Sequence, residues 1–129
     1  MPAHLTPMTL KQKFERFKYP LRGFRIAWQE EPNFRFHNTW AVLTLLCAYF
    51  LRVSYIEFLM IISMIGFVLV AELFNTALEE LCDKFQPTHD PHIAKIKDLA
   101  AAAVFAASLI AVIVGLTIFI PRVMLLIVL

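Results

Sequence analysis

Glu72, Asn75, Glu79 and Asp83 stand three or four residues apart within a stretch that is otherwise mostly apolar. At roughly 100° per residue, a helix gathers these positions into an arc of about 80°. Carboxylates and an amide then face one way from a helix whose other sides suit lipid. Such residues cost on the order of 2.5 to 3.5 kcal/mol each at the centre of a membrane helix, so they mark function by default. With Lys97 from the next polar segment, the stripe holds the parts that phosphoryl transfer needs. Those parts are oxygen ligands for a divalent metal, a cation to balance phosphate charge, and a base for the acceptor hydroxyl's proton.

The helix that positions the stripe is expected over residues 55–82, starting at Tyr55. At 1.5 Å per residue Glu72 lies about 25 Å from Tyr55, so the acids sit near one interface rather than at the bilayer midplane. An earlier apolar run, Phe36 to Leu51, is marginally long for a hydrocarbon core of about 30 Å. Arg52-Val53-Ser54 joins the two as a short outer turn. Residues 83–91, with two prolines and several charges, read as the inner loop. A third helix is expected over 98–120; it carries no charge from Leu99 to Ile120 and opens with Ala100 to Ala103. Small residues there, with Gly66 and Gly115, would let a neighbouring helix approach closely.

Upstream of these runs, residues 9–29 alternate basic side chains with Phe14, Phe17, Tyr19, Leu21, Phe24, Ile26 and Trp28. This is the pattern of an amphipathic helix on an anionic membrane surface. Pro20 removes one backbone donor and is expected to split or kink that helix near Tyr19. Residues 1–8 read as a loose tail, and residues 30–35 as a polar break. The fold expected from this pattern is a single all-α integral membrane domain over 1–129, with one surface helix and three transmembrane helices per protomer.

The composition excludes an ordinary soluble domain: 60% of the 129 residues are hydrophobic and only three are glycine, far from globular averages. The net charge of +2 says little, but its placement says more. Seven of the twelve basic residues precede the first apolar run and three lie between the second and third. The positive-inside rule then puts the N-terminus, the inner loop and the acidic stripe on the cytoplasmic side. Residues 1–25 lack the apolar core of a cleavable signal. Cys47 and Cys82 show neither disulfide nor metal spacing and read as packing residues.

The segment Glu72-Leu73-Phe74-Asn75-Thr76-Ala77-Leu78-Glu79-Glu80-Leu81-Cys82-Asp83 is followed by Lys97-Asp98 at the start of the third run. Upstream stand Tyr19, Gly23, Arg25, Trp28 and Glu31-Pro32-Asn33-Phe34-Arg35. In these motifs and their order the chain resembles the prokaryotic membrane diacylglycerol kinase and undecaprenol kinase family, over about residues 14–122. The resemblance implies an ATP- and Mg2+-dependent phosphotransferase of a bacterial inner membrane, acting on the hydroxyl of diacylglycerol or undecaprenol in lipid biosynthesis. It implies Glu72 as catalytic base, Glu31 and Glu79 as Mg2+ ligands, and Asn75 as an orienting or phosphate-contacting group. It also places Lys97 on the nucleotide phosphates with Asp98 beside it, and Glu79, Asp83 and Tyr19 toward the nucleotide, with Arg16 and Trp28 as further binding or orienting residues. A homotrimer with shared active sites is implied as well. The absence of a Walker glycine loop means that side chains and metal would do the phosphate binding.

Other residues carry blander readings. Glu57 and Glu80 are expected to snorkel or pair, and His37 to be an interfacial residue. His89 and His92 read as solvated loop histidines, with Pro91 between them and no third ligand. The basic face of 9–29 fits a bilayer better than nucleic acid. A competing function is a small proton-coupled transporter or pore subunit, although such a protein would place its coupling acid near the midplane.

Overall fold

A computed structural model describes residues 7–128 and shows five helices in chain order. They are α1 (Leu10–Arg16), α2 (Lys18–Glu30), α3 (Pro32–Phe50), α4 (Tyr55–Phe85) and α5 (Pro91–Val128). The expected tail falls largely on residues 1–6, which lie outside the described residues; Pro7 and Met8 belong to no element.

The expected surface helix is two helices. Pro20 lacks the N–H that would bond the Arg16 carbonyl, and its ring crowds that carbonyl. The chain therefore breaks at Phe17, which leaves Pro20 in the first turn of α2, where no intrahelical donor is required. α1 begins with a capping box: Thr9 Oγ1 accepts from the Gln12 N–H, and the Gln12 side chain accepts from the Thr9 N–H. The polar break expected over 30–35 contracts to the single residue Glu31, which ends α2 and precedes α3 in an extended conformation. Pro32 is the first residue of α3 rather than part of a break, since its fixed φ suits position N1. Arg35 seals the corner by donating to the carbonyls of Trp28 and Gln29 at 2.8 and 3.1 Å.

The turn between α3 and α4 is closed on both sides. Arg52 takes a left-handed conformation, φ 49°. The N–H groups of Arg52 and Val53 donate to the carbonyls of Tyr49 and Ala48, each at 3.2 Å, the pairing of a Schellman end. Ser54 then caps α4 in a reciprocal box with Glu57.

α4 runs three residues beyond the expected Cys82, and the inner loop is only Gln86 to Asp90. α5 starts seven residues before the expected 98, because Asp90 caps it. Asp90 Oδ1 accepts from the N–H groups of His92 and Ile93 at 2.8 and 3.1 Å, with Pro91 at the first helical position. Its other end also exceeds the expected 120, continuing through Pro121 to Val128.

Helices α3, α4 and α5 form an up-down-up arrangement in which α4 and α5 pack along their lengths. A small core joins Ala48, Ile61 and Ile118 near the outer turn. Arg122 of α5 ties the same end together, donating to the Arg52 carbonyl at 2.8 Å and pairing with Glu57. Elsewhere Phe34, Val68, Val104 and a few small residues are buried, while most large apolar side chains point outward, as Phe67, Phe74, Phe105 and Ile113 do, each more than half exposed. The buried polar side chains are instead Glu72 and Asn75. This inversion of the water-soluble pattern suits a lipid solvent. α4 and α5 are both long and apolar enough to cross a bilayer. α3, of 19 residues, is more polar in its first turns, with Arg35, His37 and Asn38.

Candidate functional site

The helical stripe forms as its spacing requires. Glu72 and Asn75 lie on the buried side of α4, only 2% and 7% exposed, and Glu79 follows one turn on at partial exposure. The Asn75 amide Nδ2 donates to Glu79 Oε1 at 3.2 Å, which holds both side chains on one line. Asn75 Oδ1 is buried and has no hydrogen-bond partner. A buried carbonyl oxygen of this kind is costly to leave alone, so it points to a ligand or water at that place.

Glu31, at the corner between α2 and α3, comes close enough to Glu72 for their charges to interact, as does Glu79. Three acidic groups thus gather from two segments that are far apart in sequence, and like charges so placed repel unless a cation joins them. All donors here are oxygens, the set preferred by Mg2+. Among the described residues, no group of three or more His, Cys, Asp or Glu is placed to hold a metal unaided.

Further along the stripe, Asp83 pairs with Lys97, whose Nζ lies 2.6 Å from Asp83 Oδ1. Lys97 and Asp98 do not open their helix, since α5 begins at Pro91 and places them in its second turn. Asp98 is exposed and engages no side chain among the described residues. Tyr19, Arg16 and Trp28 ride on the surface helices: Tyr19 is 60% exposed, Trp28 51%, and Lys18 Nζ sits 5.3 Å above the Tyr19 ring. Arg16 is exposed at the end of α1. None of the three shares a side-chain hydrogen bond or ion pair with the acidic stripe among the described residues.

His37 has a partner that its interfacial reading did not include. Its Nε2 is 3.8 Å from Glu72 Oε2, and the side chains are 19% and 3% exposed. The sequence sets His37 on one helical face with Ala41, Thr44 and Ala48, but which α4 residue that face meets is decided by the packing of the two helices. Glu57 takes the paired alternative, on Arg122. A Cβ added at Gly66 or Gly115 would meet nothing within 4 Å, so neither mediates a close helix approach inside the protomer.

Residues 18–119 match the family model described as prokaryotic diacylglycerol kinase. The chain belongs to the prokaryotic diacylglycerol kinase family. It is 36% identical to the undecaprenol kinase of Bacillus subtilis (strain 168), over 88% of this chain and 92% of that one. With the diacylglycerol kinase of Escherichia coli (strain K12) it shares 32% identity, over 74% of this chain and 78% of that one. Against the diacylglycerol kinase of Synechocystis sp. the identity is 35%, covering 81% of this chain and 61% of the relative. Membership makes the protein a membrane lipid kinase, an alcohol phosphotransferase, and the transporter reading finds no support.

Proposed function

We propose that the protein transfers the γ-phosphate of ATP, with Mg2+, to the hydroxyl of a membrane lipid alcohol at the cytoplasmic interface. The observation that carries this reading is the buried Glu72 carboxylate beside the unpartnered Asn75 Oδ1. Glu72 takes the acceptor's hydroxyl proton as the acceptor oxygen bonds to the γ-phosphorus. The bond from that phosphorus to the bridging oxygen breaks, and its electron pair leaves on ADP. Bound Mg2+ would neutralise phosphate charge, with Glu31 and Glu79 as its protein ligands. Asn75 orients the phosphate or Glu79. Lys97 exchanges or shares Asp83 for the nucleotide phosphates, and Asp98 borders that contact. Tyr19, with Arg16 and Trp28, closes over the nucleotide and acceptor from the surface helices.

The relatives are named for diacylglycerol and for undecaprenol. Undecaprenol is the acceptor to try first, because the relative named for it matches along more of the chain. In this reading α3 is a third crossing, about 28 Å long at 1.5 Å per residue, with Trp40 and His37 toward one interface. The excess of basic residues before α3 supports an N-terminus in the cytoplasm. The outward apolar surface supports a homotrimer whose protomers share sites.

The test is incubation of the detergent-solubilised protein with labelled ATP, Mg2+ and either lipid, for the parent and for Glu72→Gln. Labelled lipid from the parent alone, with nucleotide binding retained by the variant, is the expected result. Labelling by Glu72→Gln at the parent rate removes Glu72 as base.

A further inference from the structure

Beneath Glu72 a half-open cavity of about 490 Å³ lies between α3, α4 and α5. Its walls are apolar, among them Trp40, Met64, Val68, Val112 and Phe119. Three polar side chains interrupt them, of which Thr44 already donates its hydroxyl to the Trp40 carbonyl at 2.8 Å. Ser108 of α5 presents a buried hydroxyl with no hydrogen-bond partner. His37 of α3 lines the cavity as well, and it is the cavity-lining residue that reaches the carboxylate, with Nε2 3.8 Å from Glu72 Oε2.

That distance is too long for a hydrogen bond. It is short enough for one oxygen atom to stand about 2.8 Å from both groups and bond each. A hydroxyl suits such a position because it both donates and accepts. Toward Glu72 it gives its proton, and from His37 Nε2–H it receives a hydrogen bond. The ring is held for this purpose: its edge meets Phe36 at a centroid distance of 5.7 Å and an interplanar angle of 76°. An alcohol whose hydrocarbon enters the cavity would bring its hydroxyl to the His37–Glu72 gap without exposing the chain to water.

We propose that His37 positions the acceptor alcohol, holding its hydroxyl against Glu72 at the mouth of the cavity between α3, α4 and α5. This rests on Glu72 being the base. The role differs from that of the metal and nucleotide groups, since His37 acts on one substrate alone. Its loss disturbs the lipid's alignment and leaves the nucleotide site as it was.

The experiment compares His37→Phe, which keeps a ring against Phe36 and loses the donor, with His37→Gln, whose amide nitrogen can restore it. Undecaprenol and diacylglycerol are varied in turn in detergent micelles at saturating MgATP, and ATP is then varied at saturating lipid. His37→Phe is expected to lower kcat/KM for the lipid on the order of 10- to 100-fold, with the KM for ATP unchanged. His37→Gln is expected to recover most of that loss. Equal activities in the Phe and Gln variants, or a matching change in the KM for ATP, would overturn the proposal. Should His37→Phe not fold, His37→Leu replaces it in the same comparison. Glu72→Gln is assayed alongside: if it is inactive while His37→Phe is fully active, the His37 role fails and the base stands. If Glu72→Gln is active, the base assignment itself fails.

Discussion

At the scale of single residues, the site depends on a few charges being held where water is scarce. Glu79 is bonded through one carboxylate oxygen to Asn75, which leaves the other oxygen for an ion. Glu79→Gln should therefore shift the Mg2+ titration of activity to higher concentration, and an unchanged titration would place the ion elsewhere. Lys97 is engaged with Asp83 at 2.6 Å, yet an ammonium group has three donors and can share them with phosphate oxygens. Lys97→Ala is expected to raise the KM for ATP with a smaller effect on the KM for lipid. Asp83→Asn frees the lysine without removing its charge, and kinetics on the two variants separate phosphate binding from salt-bridge structure. Their types and spacing made Glu72, Asn75 and Glu79 legible as one group. The placement of His37 beside Glu72 was not legible, because it depends on how α3 rotates against α4.

At the scale of elements, the helices begin and end where short-range chemistry says they should, and the differences from sequence expectation have local causes. Hydropathy locates the lipid-facing part of a helix, whereas capping locates its end, and the two need not coincide. α5 shows the difference: its apolar run opens at Leu99, but Asp90 and Pro91 start the helix. The Ile93 and His92 N–H bonds hold the Asp90 carboxyl below its ordinary value, helped by the nearby charges of His92 and His89. A lowered pKa means that the folded state favours the carboxylate. Its stabilisation is present above the unfolded pKa and is lost as pH falls through the folded one. Asp90→Asn keeps a cap but not the charge. Melting curves of parent and variant should differ near about pH 7 and converge in acid; a gap that widens in acid would contradict this. Pro20 offers the reverse lesson, since its position told where the surface helix would be disturbed, and the helix divides one turn earlier at Phe17.

For the whole molecule, the protomer has two ends with different tasks. The end carrying Glu31, Glu72, Glu79, Asp83 and Lys97 is rich in acidic groups close together. The other is closed by Arg122, which joins α5 to the α3–α4 turn through the Arg52 carbonyl and Glu57. Arg122→Met retains much of the apolar stem and removes the charge. It should lower the thermal midpoint, and Glu57→Gln should cost less in that background than in the parent. Additive effects in the double variant would show that the pair does not act as a unit. Because this clamp stands far from Glu72, kinetic constants measured well below the midpoint should be nearly those of the parent. The apolar continuation past Pro121 is helical, so the clamp is not the end of α5 but a point along it.

Membrane character, all-helical structure and the acidic stripe were determined by the sequence alone, because hydropathy and a period of 3.6 residues act locally and need no partner. So was membership in a kinase family, which rests on residue types in order. Tertiary structure decided which groups meet. It brought Glu31 toward Glu72, joined Lys97 to Asp83, set His37 3.8 Å from the buried carboxylate, and paired Arg122 with Glu57 across 65 residues. Each of these contacts depends on the rotation and offset of one packed helix against another. Those are set by side chains interdigitating across the interface, a property of two surfaces together that neither stretch of sequence contains by itself.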